Sequence, residues 1–531
     1  MKTNLLLAAA TASLACVMLP AGSVLAQSRA AADAAMERMG LVGDGNDVVR
    51  FERSEFDRGR YILHDVVFTD LETGTDEATG DVTEDLRAER LIFEAPRLSG
   101  SGDVLLDGLV IEGLSAVSDD SGTVFGLDHF EVDGPNALMA ADLGRVFAGE
   151  VDEDYEPDWN LYEFDAFRFE GLTGQSTAGE KGGESFDLAL DQFVIENYSR
   201  VELGRMALLG MRLNGQSPEG PVRFNLDEMS VIGFKTEAYA EMFDAIAAGA
   251  DESAITDAYY DSAFSAGIDV FDRFAVRGVD LAAAGMEFTL GNMVGEIEQR
   301  GSRYISTASL DSARFMPDAS QPEGAEVASA IGLLGYEDIE LSMEANSIYD
   351  EDTGRYWTTG ENYLQIRDGL RIEFAQDLGG YDEYFAALPA AGEAMRDAEE
   401  KDDEEATLQA SLDLMGPIVL HNLTVRLVDL SLLERALTAG ATAQGVTVDD
   451  MRAQAAAMVT LGTVGAPPEV PRPLLMQVSN ALVTFINQGG SMTIDMTPPV
   501  PLSVADIAAQ IEAGSFDYDA LGLTVTNDTD E

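Results

Sequence analysis

Nucleophile-and-base catalysis near neutral pH usually depends on histidine, and this chain offers three. They are His64 in "YILHDVVF", His129 in "FGLDHFEV" and His421 in "IVLHNLTV". Each stands in alternating apolar text, the setting of a structural histidine, and no two have the spacing of a local zinc pair. No G-x-S-x-G, S-x-x-K, G-x-x-x-x-G-K-[ST] or G-x-G-x-x-G segment occurs. Cys16, the only cysteine, lies in the N-terminal apolar run, so thiol chemistry leaves with that run. No residue is nominated as catalytic, as cofactor-binding or as a metal ligand.

Carboxylates could act without histidine, because two of them suffice to hydrolyse a glycoside. With 96 Asp and Glu residues, no pair stands out. The two tryptophans that could form a sugar platform, Trp159 in "EPDWNLYEF" and Trp357 in "GRYWTTGENY", read as strand starts or hairpin edges. A carboxylate-dependent, glycosidase-like hydrolase is one alternative. A second is an acidic surface protein that binds divalent cations. Its candidate loops are "DGNDVVRFERSE" (44–55), "VDEDYEPDW" (151–159) and "YDEDTGRYW" (349–357), all of which miss the EF-hand frame. The last reads better as a hairpin turn with Gly354 at positive φ.

The charge narrows the partners. Ninety-six acidic residues against 32 Lys and Arg leave a formal −64, and Lys2, Lys181, Lys235 and Lys401 are the only lysines. Such a field repels nucleic acid and anionic membrane surfaces, which need clustered cations. No nucleic-acid partner is expected. Solubility, in a salty habitat where self-repulsion is screened, accounts for the acidity as well as cation binding does.

The first 26 residues read as a signal peptide. Lys2 is followed by an apolar run to Leu19, then Pro20 and Gly22, with Val24-Leu25-Ala26 fitting a cleavage site. Cleavage after Ala26 implies periplasmic export. No later stretch approaches the ~18 consecutive apolar residues of a membrane span. Ser13, three places before Cys16, does not fit a lipoprotein signal, and a mature chain without cysteine must rely on its core.

The elements come from repeated text. "FRFEGL" (167–172) has relatives in "LVIEGL" (109–114), "FEVDGP" (130–135), "MALLGM" (206–211), "MSVIGF" (229–234) and "FAVRGV" (274–279). Alternation predicts strands whose first and third residues face a core. The glycine at position five (Gly113, Gly134, Gly171, Gly210, Gly233, Gly278) is expected on that same face, marking a bend, bulge or close approach. Phe167, Phe169 and Leu172 are therefore expected in the core.

A longer repeat predicts helices. "EAYAEMFDAIAAGA" (237–250) aligns with "GGYDEYFAALPAAG" (379–392), matching Tyr239, Met242, Phe243 and Ile246 to Tyr381, Tyr384, Phe385 and Leu388 at i, i+3, i+4, i+7. Asn136 is placed to cap a third helix carrying Met139, Leu143, Val146 and Phe147. Acidic flanks favour packing on the sheet over lying on a membrane. Boundaries are expected at acidic or glycine-rich loops, foremost "PDASQPEGAE" (317–326). The chain then divides into a signal peptide (1–26) and a β-rich region (27–316) with helices near 136–149 and 237–266. A second strand-strand-strand-helix unit (326–405) and a more helical region (406–531) follow. In the last, 418–430 reads as a strand and Thr447 to Asp450 as a capping box. Leu474–Ile486 reads as a helix, "SMTIDM" as a strand, and the residues after Val525 as a frayed tail.

Two stretches resemble known families. "LERALTAGATAQGVTVDDMRAQ" (433–454), followed by "FINQGGSMTIDMTPPVPLSVADI" (485–507), is similar to the C-terminal region of uncharacterised exported proteins from alphaproteobacteria. That family implies no activity. The strand-glycine-strand text resembles the periplasmic repeats of AsmA-type and YdgA-type envelope proteins, in which long antiparallel sheets curl into a groove facing lipid. The expectation is an α+β, mainly β protein, with long antiparallel meandering sheets and amphipathic helices packed on one face. Its expected function is that of a non-catalytic envelope scaffold without a cofactor, offering an apolar groove to a lipid or an envelope protein.

Overall fold

A computed structural model describes residues 29–69, 86–117, 124–151, 161–176, 185–217, 220–236, 245, 270–400, 404–462 and 471–528. The signal segment with Cys16, the repeat helix with Tyr239, Met242, Phe243 and Ile246, and Trp159 lie outside the described residues. The fold is mainly β, with long antiparallel meanders and several helices. It forms two compact units, one of Met1–Ala263 with Val270–Leu281, the other of Phe264–Asp269 with Ala282–Glu531.

The first unit begins with helix α1 (Arg29–Arg38), followed by β1 (Val49–Arg50), β2 (Arg53–Asp57), β3 (Arg60–Phe68) and β4 (Leu86–Glu94). A small ribbon, β5 (Arg97–Leu98) and β6 (Val104–Leu105), precedes β7 (Gly108–Val117), β8 (Val124–Asp133) and helix α2 (Ala137–Ala148). Then come β9 (Phe164–Ser176), β10 (Ser185–Tyr198), β11 (Leu203–Ser217), β12 (Gly220–Phe234) and β13 (Arg273–Ala283). From β3 through β12 each strand of the main sheet pairs antiparallel with the next, while β1 and β2 both pair with β3. The Asp272 amide donates to the Ile232 carbonyl, joining β13 to β12.

One sheet face is covered by α1 and α2. Ala35 and Met36 of α1, Met139 and Phe147 of α2, and Leu63, Phe93, Leu109 and Phe167 of the strands form one apolar cluster. Asn136 caps α2, its side-chain oxygen accepting from the Met139 amide. Val146 does not share the buried stripe. It is exposed, and Ala140 packs in the core instead. Losing the cap by Asn136→Ala is expected to destabilise α2 by about 1 kcal/mol, seen as faster amide exchange in its first turn.

Five of the six glycine phrases lie within strands, and in the sixth, "FEVDGP", β8 ends at Asp133, just before Gly134. The glycines, however, do not sit on the face of positions one and three. Gly171 has φ +67°, a left-handed residue inside a strand, and this reverses the pleat. Phe167, Phe169 and Leu172 all join the core cluster, so position six takes the inward place. Leu109, Ile111 and Leu114 do the same around Gly113.

The full repeat is seven residues long and has nine copies, one each in β3, β4 and β7 to β13. Asp165-Ala-Phe-Arg-Phe-Glu-Gly171 is typical: position one is acidic, three and five apolar, and seven left-handed. In three copies the left-handed place is held by Asp65, Ala95 or Asn197, all with φ near +50°. Antiparallel register sets position seven of each strand opposite position one of its neighbours. Two parallel creases result. One runs Asp65, Glu89, Gly113, Asp128, Gly171, Asp191, Gly210, Asp227, Gly278. The other runs Ala95, Asp107, Gly134, Asp165, Asn197, Gly204, Gly233, Asp272. The acids fill the space a side chain would take: a Cβ on Gly210 would fall 2.1 Å from Asp191 Oδ2.

The second unit contains β14 (Met286–Arg300), β15 (Arg303–Pro317), α3 (Pro322–Leu333), β16 (Ile339–Asp350), β17 (Arg355–Thr358), β18 (Tyr363–Ile366) and β19 (Leu370–Gly379). Helices α4 (Tyr381–Glu400) and α5 (Glu404–Met415) follow, then β20 (Val419–Asp429), α6 (Leu432–Gln444), α7 (Val448–Gly462) and α8 (Arg472–Gln488). It closes with β21 (Ser491–Met496), β22 (Leu502–Ser503), α9 (Val504–Glu512) and β23 (Leu523–Asp528). The stripe of α4 packs as its spacing predicts: Tyr381 stacks on Tyr356 at 4.8 Å and Phe385 meets Tyr349 edge-on at 5.3 Å. Thr447 and Asp450 form a reciprocal capping box, the Asp450 amide donating to Thr447 Oγ1 at 3.1 Å. The described residues after Val525, 526–528, are not a frayed tail. Thr526, Asn527 and Asp528 pair with Thr493, Met492 and Ser491 of β21, which gains a ladder partner on its free edge.

Candidate functional site

The histidines are placed by strands. His64 on β3 lies 3.0 Å through Nδ1 from Arg53 Nη2. Arginine only donates, so Nδ1 accepts and the ring proton sits on Nε2, which faces Glu55 Oε1 at 3.3 Å. His129 on β8 lies 3.9 Å from Glu131. His421 on β20 lies beside Gly379, whose missing side chain leaves it room. The register carries His64 and His129 on one transverse row, separated by Arg90 and Glu112.

That row belongs to the outer sheet face, which is a lattice of paired charges. Arg90 pairs with Glu112, Arg168 with Glu131, Arg205 with Glu196 at 3.1 Å, and Arg277 with Glu228 at 2.7 Å. Each such half-exposed pair contributes roughly 0.2–1 kcal/mol. Glu228 lies below its ordinary range, first through the Ser230 hydroxyl and then through Arg277.

Two of the three candidate cation loops are committed to the fold, while the third, 151–159, lies outside the described residues apart from Val151. In 44–55, Asn46 Oδ1 accepts from the Val48 and Val49 amides while its Nδ2 donates to the Met39 and Phe147 carbonyls. In 349–357, Gly354 at φ +58° turns the β16–β17 hairpin, as expected. Trp357, half-buried on β17, has the Arg303 guanidinium 5.7 Å from its ring. Among the described residues, no group of three His, Cys, Asp or Glu is placed to hold a metal ion.

Among the described residues, three carboxyls are pushed up, chiefly by burial: Glu94, Asp133 and Glu163. Glu163 is raised from 4.5 to about 7. A group with a raised folded pKa stabilises the fold while protonated, so its contribution is complete below about 4.5 and lost as pH rises through about 7. Glu163→Gln is expected to raise Tm by a few degrees at pH 8 and to leave it nearly unchanged at pH 4. Equal shifts in melts at the two pH values would count against burial as the cause.

What remains is an apolar surface that sequence reading placed only in part. On the inner face of β9–β13, register builds transverse rows of hydrocarbon. Phe169, Phe193, Leu208 and Met229 form one, Leu172, Leu190, Met211 and Leu226 the next, and Leu188, Leu213 and Phe224 a third. Near the α1–α2 cluster these rows are core. Farther along they open, with Phe186 40%, Met229 41% and Leu281 37% exposed. The crease makes this possible, because the pleat reversal at Gly171 and Gly210 returns Leu172 and Met211 to the inner face. A signal was available in the text: an acid stands six residues before five of the six glycines.

In the second unit a comparable row, Met293, Leu310, Met343, Leu364, Ile372, Leu427 and Met492, crosses seven strands. Leu364 is 41% exposed there. Among the described residues, no helix is long and apolar enough to cross a membrane.

No curated protein matches the chain. Residues 363–528, from β18 into β23, match a family model described as an uncharacterized protein, which is just under a third of the chain.

Proposed function

We propose that this is a non-catalytic protein exported to the periplasm, where it serves the cell envelope by holding the hydrocarbon part of a lipid on the inner face of β9–β13. The observation that carries this reading is the set of transverse apolar rows across β9–β12, which reach partial exposure at Met229, with Phe186 and Leu281 exposed on the same face by alternation along β10 and β13. In the interior of a sheet, main-chain N–H and C=O groups are spent in the ladders, so its face offers contacts without hydrogen bonds. That suits an acyl chain better than an added peptide strand, which needs a free edge. Export rests on the N-terminal signal text, and the resemblance to AsmA-type and YdgA-type repeats supports the same function.

Native mass spectrometry of protein purified from its own envelope tests the reading. A lipid-sized adduct that organic extraction removes is expected. Folded protein without adduct, and an extract without lipid, would overturn it.

A further inference from the structure

We infer that the ligand of this face is a lipid with an uncharged headgroup, such as a diacylglycerol, and that lipids with anionic headgroups are rejected. The inference rests on the reading of β9–β13 as a lipid-binding face and adds which lipid it takes.

An anionic headgroup lying beside a protein needs cations to offset its phosphate, and among the described residues Arg168, Arg205, Arg212, Arg223, Lys235 and Arg277 of this region are paired with acids. Arg212 bonds Asp191 at 2.5 Å, Arg223 bonds Asp280 at 3.0 Å, and Lys235 lies 3.8 Å from Asp272. Arg168, Arg205 and Arg277 pair with glutamates across the strands. Alternation puts Arg212 and Arg223 between inward residues, on the opposite side of the sheet from the apolar rows. The inner rows hold no charged residue. The crease acids Asp128 and Asp227 flank the Arg212-paired Asp191 on alternate strands, each roughly 10 Å from it by ordinary strand spacing, and the whole chain carries −64. A phosphate brought to the rim would meet a repulsive field and lose its hydration without a replacement donor.

Two fluorescent probes with identical acyl chains separate the cases, a labelled diacylglycerol and the corresponding phosphatidic acid, each titrated onto the full mature chain. Diacylglycerol is expected to bind at least roughly tenfold more tightly in dilute salt. The gap should narrow as added salt screens the repulsion. Equal or tighter binding of phosphatidic acid would overturn the headgroup inference and leave the apolar face standing. Binding of neither probe would overturn both.

Leu281→Glu, at a half-exposed inner position, is expected to lower diacylglycerol affinity by roughly tenfold or more. Arg212→Gln, on the other face, should leave it within about twofold. If Leu281→Glu fails to fold, Phe186→Ser carries the same expectation. Unchanged affinity in a folded inner-face variant would overturn the placement of the ligand.

Discussion

Gly171→Val is expected to destabilise the first unit by about 3–5 kcal/mol, a large part of the stability of an ordinary domain. Two effects add. A side chain at φ +67° is strained by roughly 1–2 kcal/mol, and a β-branched one by more. A Cβ would also lie 2.2 Å from Asp128 Oδ2 and 2.8 Å from Asp128 Cβ, so the carboxylate cannot escape by turning its tip alone. Denaturant melts of Gly171→Ala, with and without Asp128→Gly, divide the two effects. Removing Asp128 should recover the contact part and leave the torsional part. A valine variant within about 1 kcal/mol of the parent would show that the crease does not need its left-handed residue.

Phe167→Ala should have an effect of similar size by a different route. Phe167 is fully buried, meets Phe130 edge-on at 5.4 Å and Phe169 at 5.0 Å, and lies 6.4 Å from Phe193. Truncating a buried aromatic leaves a cavity and typically costs about 3–5 kcal/mol. Phe186→Ala, at the open end of the apolar face, should cost less than about 1 kcal/mol. Denaturant midpoints measure both. A large loss at Phe186 would mean that the outer rows are structural core, which would also weaken the case for a ligand there.

Elements with strong local signals were legible as text. The strands of the six glycine phrases, the α2 cap at Asn136, the α4 stripe at Tyr381, Tyr384 and Phe385, and the Thr447–Asp450 capping box all rest on residues within a few positions of one another. Three of the nine repeat copies were invisible as glycine phrases because Asp65, Ala95 and Asn197 occupy the left-handed place. Val146 matches the stripe by helical spacing, yet burial depends on which residues of β6 and the core meet α2. The tail after Val525 looked frayed because its composition is acidic, although it had a free strand edge to pair with.

What the sequence determined by itself was the alternation, the scarcity of histidine and cysteine and the dominance of negative charge. Together these point to a β framework with no nominated catalytic group. Only the tertiary structure decided that acids and left-handed residues from successive strands line up into two creases, and that apolar residues from five strands merge into one open face. The physical reason is register. Which residue lies opposite which is set by hydrogen-bonded ladders between segments tens of residues apart, and no local stretch of text carries that pairing.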